Sequence, residues 1–400
     1  MRIQLWSYNY DPEPTGIAPL SGVWARSLRA RGHDVEVIAA HPHYPEPLWG
    51  HRLVPYRQSL DGIRVLRLPL WIGRASAIQR IRQEASFTAA LAATVPTLRT
   101  PDVIVAVSPS FPALVPAMAN ARARRIPWVL WLQDILPDAA TTTGIIREGP
   151  VIALARRLER RAYRSAARIA VISESFADNL RAKGVDERKV LQVYNPASRP
   201  ILEAARDPAG VDPATVLTMG NIGHTQNLAR VVRSFEESSA LAELDARFVL
   251  AGDGLAAPEV RAAIRTDRTR VTGILNTDQL ERELQRATVA VVSQRYAGLD
   301  FNVPSKLMNF MAYGIPTVAS VRSDSEVARI IADSGGGWVT DSADTRQLAD
   351  RLASSLASPG ELAKRGEAAR RFAQANFGPG RLAERFEGAL TDVVLGGRRQ

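Results

Sequence analysis

The chain has 400 residues, of which 46% are hydrophobic and 23% are charged, and it contains no cysteine. This length and composition predict a globular protein of two domains, and they exclude disulfide bonds and thiolate metal sites. The net charge of +10 is uneven, because residues 1–200 carry +11 and residues 201–400 carry −1, so we expect the first half to meet an anionic surface.

The sequence shows no membrane-spanning or secretory segment. No apolar run reaches the roughly 18 residues that a membrane-spanning helix needs, and the opening MRIQLWSYNY lacks the apolar core and cleavage site of a signal peptide. We therefore predict a cytoplasmic protein. The sequence also contains no HExxH and no Asp-x-Asp motif, so we expect no dedicated metal site.

The first half alternates short apolar runs with amphipathic stretches. The runs at 103–107 and 129–131 have the continuous apolar character of strands that are buried on both faces of a parallel sheet. Further strands are predicted at 3–7, 35–39, 169–172 and 190–194, and helices at 20–31 and 152–167. This β-α-β order predicts a doubly wound α/β domain.

The same rhythm restarts after residues 196–214, which hold four prolines and are predicted to form a linker. Strands are predicted at 216–219, 248–251, 289–292 and 317–320, and helices at 228–239, 279–286, 306–313, 325–332 and 345–357. We therefore predict two Rossmann-like domains, 1–196 and 197–378, that face one cleft. The last helical segment, 381–394, could pack on either domain.

Glycine-containing loops follow the first strand of each half. Ligands of open α/β sheets bind beyond the carboxyl ends of the strands. The loop 10–17 (YDPEPTGI) places Gly16 before a helix, whose N-terminus favours an anion, and the loop 220–227 (GNIGHTQN) holds the equivalent position in the second half. The run 251–254 (AGDG) follows the next strand and fits simple turn chemistry nearly as well. The matched positions of the first two loops predict a phosphate or sugar site.

The segment 300–316 (DFNVPSKLMNFMAYGIP) carries the strongest local signal. Ser305 is predicted to be the N-cap of a helix that starts at Lys306 and ends at Gly314. A lysine in the first turn opposes the helix dipole by about 0.3–1 kcal/mol, and a bound diphosphate would reverse that penalty. Lys306 is therefore predicted to bind an anion, against the alternative of a solvated lysine on a loop.

Arginine recurs along the predicted helix 152–167, opposite an apolar face, and a shorter basic stretch lies at 78–82 (IQRIR). Both stretches fit an anionic lipid surface, and both equally fit a solvated exterior. The basic residues do not alternate with aromatic stacking residues, so we expect no nucleic-acid partner.

Taken together, these motifs resemble the family 4 glycosyltransferases, and most closely the subgroup of capsule, O-antigen and colanic-acid transferases. The resemblance rests on the loop 10–17 with 31–35 (RGHDV), on 132–138 (LQDILPD), on the loop 220–227 and on 303–307 (VPSKL). These motifs occur in order, and the resemblance spans roughly residues 1–380.

The resemblance implies a GT-B fold, a nucleotide-sugar donor held by the C-terminal domain, and retention at the anomeric carbon. It implies no metal and no cofactor beyond the donor, for which UDP-sugar is the expected class. A C-terminal segment near 379–400 would cross back to the first domain. The acceptor would be a glycan, a lipid-linked glycan or a small-molecule aglycone, and the basic N-terminal half would allow peripheral contact with the inner face of an anionic membrane.

The motifs and the resemblance together define the candidate residues. The predicted catalytic residues are Lys306, Asp134 and His224, where Asp134 orients the sugar or the acceptor. The resemblance places backbone amides of 305–307 at the diphosphate, Asn309 at the ribose and 273–275 near the base. The full set of predicted donor-binding residues is Gly16, Ile17, Gly220, Asn221, Gly223, Gln226, Gly252, Asp253, Gly254, Gly273, Ile274, Leu275, Arg295, Ser305, Lys306, Leu307 and Asn309.

The sequence departs from the wider family at several of these positions. Two glutamates that the family often carries near this loop align with Phe301 and Asn309, and its basic diphosphate-binding pair falls near Gln226 and Asn227. We expect Lys306, His224 or Arg295 to supply the missing charge. A histidine of the family's first domain corresponds to Asp134.

Two other functions compete with sugar transfer. A sugar-nucleotide 2-epimerase would share the fold, but it needs an acid/base set at the sugar, and no clear carboxylate–histidine set occurs at matched positions. A non-catalytic nucleotide-sugar-binding module would explain the missing glutamates. Sugar transfer to a hydroxyl is the function that the sequence favours.

Overall fold

The chain forms two compact units, each built on a sheet of mainly parallel strands: Met1–Asn195 with Pro379–Gln400, and Pro196–Gly378. The computed structural model describes residues 1–14, 16–44, 49–50, 53–73, 76–108, 111–135, 149–197, 214–295 and 303–397. Several predicted features lie outside these ranges: most of the linker 196–214, the last three residues of the motif 132–138, and Thr15, Asp300, Phe301 and Asn302.

The first unit is built on an eight-stranded sheet of order β3-β4-β2-β1-β5-β6-β7-β8. All neighbouring strands are parallel except β3 and β4, which form an antiparallel hairpin. The strands are β1 Arg2–Ser7, β2 Asp34–Ala40, β3 Tyr56–Leu60, β4 Ile63–Leu68, β5 Val103–Val107, β6 Trp128–Leu132, β7 Arg168–Val171 and β8 Val190–Gln192. Strands β5 and β6 are buried throughout, which confirms the prediction that both faces of the sheet are covered at these strands.

Six helices belong to the described part of the first unit. They are α1 Ile17–Ala30, α2 Ala77–Thr94, α3 Phe111–Arg124, α4 Pro150–Ser165, α5 Glu174–Ala182 and, at the end of the chain, α14 Pro379–Gly397. Helix α14 packs on α1, and its Phe386 meets Trp24 and Trp131 at ring-centroid distances of 5.5 and 5.2 Å. Of the two placements that the residues left open, the segment therefore adopts the one on the first unit.

The second unit is built on a six-stranded parallel sheet of order β11-β10-β9-β12-β13-β14. Its strands are β9 Thr215–Met219, β10 Arg247–Ala251, β11 Thr269–Val271, β12 Val289–Ser293, β13 Thr317–Val321 and β14 Gly337–Asp341. Its helices are α6 Leu228–Glu237, α7 Ser239–Glu243, α8 Ala257–Ala263, α9 Thr277–Arg286, α10 Ser305–Tyr313, α11 Glu326–Ser334, α12 Thr345–Leu356 and α13 Pro359–Asn376. In chain order the sheet reads 3-2-1-4-5-6, which is the Rossmann strand order.

Local sequence explains where several of these helices begin and end. Ser173 caps α5 by accepting a hydrogen bond from the Phe176 amide, and Asn276 and Gln279 form a complete capping box at α9. At the other end of a helix, Gly314 has φ 77° and terminates α10, as the sequence predicts.

Candidate functional site

The strand order of the second unit places a crevice beside its first strand. Strand β9 has β10 on one side and β12 on the other, so the connections that leave β9 and β12 diverge at their carboxyl ends. The loop 220–227 leaves β9, and Arg295 follows β12. The Arg295 amide donates a hydrogen bond of 2.7 Å to the Thr225 carbonyl, which ties the two connections together at the crevice.

Helix α10 begins at this crevice, one residue earlier than predicted. Ser305 is its first residue and Pro304 occupies the N-cap position, with φ −62°, ψ 129° and no side-chain cap hydrogen bond. The prediction that Ser305 is the N-cap is therefore wrong. Proline suits a position next to a helix start because its fixed φ is compatible with the turn and it has no N–H to leave unpaired.

Lys306 lies in the first turn of α10 and points to the loop after β9. Its ammonium donates a hydrogen bond of 2.7 Å to Oε1 of Gln226, and the Gln226 Nε2 donates one of 2.6 Å to the Asn221 carbonyl. Gln226 thus links Lys306 to the backbone of Asn221 in the loop 220–227. Within the described residues the ammonium forms no ion pair, and it has three donors of which this bond uses one.

Burial lowers the pKa of the Lys306 ammonium to about 8. The cause is desolvation, which disfavours a charge that no carboxylate of the described residues offsets. A partly buried cation in the first turn of a helix, without a carboxylate partner among those residues, is an arrangement that an anionic ligand stabilises. Its place in a helix, and its partial burial, disfavour the alternative of a solvated lysine on a loop.

The pKa of Lys306 predicts how the predicted anion site responds to pH. As the pH rises through about 8, Lys306 loses its proton and its positive charge. We therefore expect kcat/KM for an anionic substrate of this site, which reports ionisations of the free enzyme, to fall on the alkaline side of that value. In the Lys306→Arg variant this fall should vanish, because arginine stays protonated. A wild-type profile that stays flat across the range would contradict the assignment.

Two glycines at the end of β10 are required by packing inside the chain. A Cβ on Gly252 would lie 1.9 Å from the Gly220 carbonyl oxygen, and one on Gly254 would lie 2.5 Å from Oδ1 of Asn221. The run 251–254 therefore packs closely against the loop 220–227, which agrees with the alternative that its glycines serve a tight turn. Asp253 is exposed, and its carboxylate lies 3.7 Å from the Arg261 guanidinium.

The glycines of the loop after β9 and of the turn after β11 have more space. Gly220 has φ 95°, and a Cβ there would first meet Cε of Lys306 at 3.9 Å. Gly273 has φ 76° and open space around it, and the adjacent Ile274 is 87% exposed. An apolar side chain so exposed at the carboxyl edge of the sheet fits contact with a planar ligand group.

The remaining candidates of the second unit take different positions around the crevice. His224 is about half exposed and lies 3.5 Å from the Glu259 carboxylate. Asn309 lies on α10 three residues after Lys306, on the same side of the helix. The Leu307 amide donates to the Pro304 carbonyl at 2.9 Å, whereas the amides of Ser305 and Lys306 have no hydrogen-bond acceptor within the part of the chain that the structure describes. As ligand contacts, all of these candidates stay predictions, including Gly223, Leu275 and Arg295.

The first unit has a crevice of its own beside β1, which lies between β2 and β5. Gly16 has φ 67° and ψ −139° and is the N-cap of α1, so the helix begins at Ile17. A conformation with positive φ favours glycine, and a Cβ at Gly16 would meet nothing within 4 Å. The N-terminus of α1 is therefore open to solvent on this side.

Glu13 anchors the loop after β1, a role that the sequence analysis does not assign. Its buried carboxylate accepts hydrogen bonds from the amides of His43 and Tyr44 at 2.7 and 2.9 Å, and from Nδ2 of Asn9 at 2.7 Å. The loop after β2 is thereby fastened to the loop that leads to Gly16. The only signal in the sequence is a glutamate between two prolines of the motif 10–17.

Asp134 follows β6 at the carboxyl edge of the first sheet. Burial raises the pKa of its carboxyl group, and a hydrogen bond from the Ile135 amide partly offsets this effect. The neighbouring Gln133 forms a reciprocal pair of amide hydrogen bonds with Asn195, at 2.9 and 2.8 Å. Asp134 thus belongs to the first unit, whereas Lys306 and His224 belong to the second.

Two family descriptions match the chain in sequence. Residues 15–196 match the family described as Glycosyl transferase 4-like domain, and residues 213–358 match the one described as Glycosyl transferases group 1. The chain belongs to the family 4 glycosyltransferases. It is therefore an enzyme that transfers sugars. Its two α/β units, each with a mainly parallel sheet, form the GT-B fold.

Individual relatives agree with this family. The chain is 27% identical over 354 residues to WcaI of Escherichia coli (strain K12), which is named as a colanic acid biosynthesis glycosyl transferase, covering 82% of this chain and 86% of WcaI. It is 26% identical over 279 residues to WbjE of Pseudomonas aeruginosa, named as a glycosyltransferase, covering 67% and 68% of the two chains. The crystal structure of Anabaena HepE in complex with UDP has the same fold, with a TM-score of 0.70, 15% identity and coverage of 98% and 100%.

Among the described ranges, none of the helices combines the length and the apolar character that crossing a bilayer requires.

Proposed function

We propose that this glycosyltransferase moves a sugar from a nucleoside-diphosphate sugar to a hydroxyl group of a glycan, lipid-linked or small-molecule acceptor, with retention at the anomeric carbon. The observation that carries the proposal is Lys306. It is a partly buried cation with no carboxylate partner among the described residues, and it lies where the strand order of the second unit creates a ligand crevice. A diphosphate leaving group supplies the negative charge that this position lacks.

In the proposed reaction, the second unit stabilises the departing diphosphate. Charge develops on the diphosphate oxygens as the glycosidic bond to the donor breaks, and positioned cations and amides stabilise that charge. Lys306 and the amides of Ser305 and Lys306 take this role, while Gly220 lets the ligand approach the backbone. UDP is the proposed nucleotide, which is supported by the UDP bound to HepE.

We propose that the reaction needs no metal ion. The sequence contains no Asp-x-Asp motif, and the ammonium of Lys306 provides a positive charge at the diphosphate. Turnover in the presence of EDTA should therefore equal turnover without it, and a large loss of turnover with EDTA would contradict this proposal.

We also propose that the enzyme works at the inner face of an anionic membrane. Helix α4 carries the arginines of the predicted basic helix, and four of them are exposed: Arg157, Arg160, Arg161 and Arg164. A helix with such a face is attracted to anionic lipid. This association would bring the enzyme to a lipid-linked glycan, and the similarity to WcaI supports a role in polysaccharide biosynthesis.

The experiment that tests the donor is a thermal-shift panel of UDP, GDP, dTDP and ADP with their sugar conjugates. A ligand that binds only the folded protein raises its stability by mass action, by about 2.7 kcal/mol at a hundred times Kd. We expect a selective shift with one nucleotide, and the same shift to be lost in Lys306→Ala. If folded protein shifts with none of them, the donor site is wrong. Binding without any transfer would favour the non-catalytic module.

A further inference from the structure

Gln226 supplies the hydrogen-bond acceptor that the Lys306 ammonium has within the described part of the chain. Its Oε1 accepts the bond of 2.7 Å from the ammonium, and its Nε2 donates to the Asn221 carbonyl at 2.6 Å. A carbonyl oxygen can only accept, so the bond to Asn221 requires the nitrogen of the amide on that side and the oxygen on the side of Lys306. The amide of Gln226 is therefore oriented before any ligand binds.

The backbone on which this orientation depends is held in place. The amides before and after Asn221, those of Gly220 and Ile222, both donate to carbonyls of the run 251–254 at 2.9 Å. The backbone amide of Gln226 donates at 3.1 Å to the carbonyl three residues earlier. The loop 220–227 thus presents a fixed side-chain oxygen to the ammonium.

The other ionisable groups around the crevice of the second unit do not balance the charge of Lys306. His224, on the same loop, lies 3.5 Å from a carboxylate of α8. Asp253, after β10, lies 3.7 Å from the Arg261 guanidinium, and Arg295, after β12, carries the same sign of charge as Lys306. Burial is the cause of the lowered pKa of Lys306. The ammonium keeps its full charge because the group that holds it is a neutral amide.

We propose that Gln226 is a positioning residue for Lys306, whose neutral amide fixes the ammonium at the crevice without neutralising the charge that a diphosphate group needs. A carboxylate at the same place would also hold the ammonium, but it would pair with the charge and repel an anion. An apolar side chain would leave the ammonium without its acceptor. This inference rests on the proposed donor site and adds the residue that sets the charge there.

Two substitutions of nearly equal size should move the pKa of Lys306 in opposite directions. Gln226→Glu places a negative charge beside the ammonium and should raise the pKa by about one pH unit or more. Gln226→Met keeps the length of the side chain and removes the acceptor, so it should lower the pKa below the wild-type value of about 8. A loop that was merely damaged would admit water to Lys306 and raise its pKa in both variants.

An NMR titration of the full-length protein measures this pKa without any substrate. The chain contains four lysines, at positions 183, 189, 306 and 364. Lysine labelled with ¹³C beside the ammonium therefore gives four side-chain signals, and the signal that the Lys306→Arg variant lacks belongs to Lys306. The control is Gln374→Glu, which adds the same charge at an exposed position on α13 and should leave the pKa of Lys306 unchanged.

Calorimetric titrations with UDP and with inorganic pyrophosphate connect the pKa to ligand binding. At neutral pH the Gln226→Glu variant should bind UDP about tenfold more weakly or worse, because its carboxylate competes with the diphosphate for the ammonium. The Gln226→Met variant should lose its binding of UDP at a lower pH than wild type does, because Lys306 loses its proton earlier. Pyrophosphate should follow the same pattern, since the effect lies at the diphosphate.

The outcomes separate this inference from the function on which it rests. A raised pKa of Lys306 in Gln226→Glu and a lowered one in Gln226→Met, with a wild-type value in Gln374→Glu, is the expected result. Any other pattern of pKa values, including a rise in both variants, would overturn the role of Gln226. The expected pattern together with wild-type protein that binds neither UDP nor pyrophosphate would uphold that role and overturn the proposed donor site instead.

Discussion

Replacement of Lys306 by alanine is expected to lower kcat for sugar transfer by about a hundredfold to a thousandfold, the range found when one positioned donor to a developing oxyanion is removed. Lys306 is a partly buried cation at the crevice of the second unit, and its ammonium donates a hydrogen bond to Gln226 in the loop 220–227. Alanine leaves the developing charge of the diphosphate without this partner. The measurement is initial-rate kinetics with saturating donor and, separately, a donor titration for KM.

A matched control exists because lysine is rare in this chain. Lys364→Ala removes a lysine that is exposed on α13, so it should leave kcat and KM unchanged. The Lys306→Arg variant keeps the charge but changes its shape, and we expect it to recover part of the lost turnover. If Lys306→Ala turned over at a near-normal rate while Lys364→Ala did the same, Lys306 would have no role in the reaction.

Replacement of Phe386 by alanine is expected to lower the free energy of unfolding of the first unit by about 3–5 kcal/mol. The Phe386 ring is fully buried and packs edge-on against Trp24 and Trp131, so its removal leaves a cavity inside an aromatic cluster. Urea unfolding followed by tryptophan fluorescence measures the change, because two of the tryptophans are its direct neighbours.

The control for this variant lies on the same helix. Leu395→Ala truncates a side chain that is 51% exposed near the end of α14, and surface substitutions of this kind change stability by about 0.5 kcal/mol or less. Since a two-unit protein need not unfold in one step, the transition that carries the fluorescence change is the one to compare. A Phe386→Ala midpoint equal to that of Leu395→Ala would show that α14 adds little to the first unit.

The sequence predicted the strands far better than the connections. Continuous apolar runs such as 103–107 can only be buried strands or short buried helices, and their length decided between the two. The hairpin β3–β4 is absent from the predicted elements although it carries a signal. Its turn is Asp61-Gly62, with φ 51° and 74°, a pair typical of tight two-residue hairpin turns.

The candidate site was predictable in its backbone features and less so in its side-chain contacts. Glycine-containing loops after a first strand and lysine in a first helical turn are local patterns; the loops predicted a ligand site in each half, and Lys306 predicted one in the second. The hydrogen bond between Lys306 and Gln226 joins residues 80 positions apart, which only the strand order brings together. The same holds for Glu13, whose partners His43 and Tyr44 belong to another connection.

Helix α14 has a consequence for the order in which the protein can fold during synthesis. The first unit is assembled from residues 1–195 and 379–400, and the whole second unit is made between them. When the ribosome has just added residue 195, Phe386 has not yet been synthesised, so Trp24 and Trp131 lack this packing partner. The second unit can complete its own core first, and the first unit closes only when the last helix emerges.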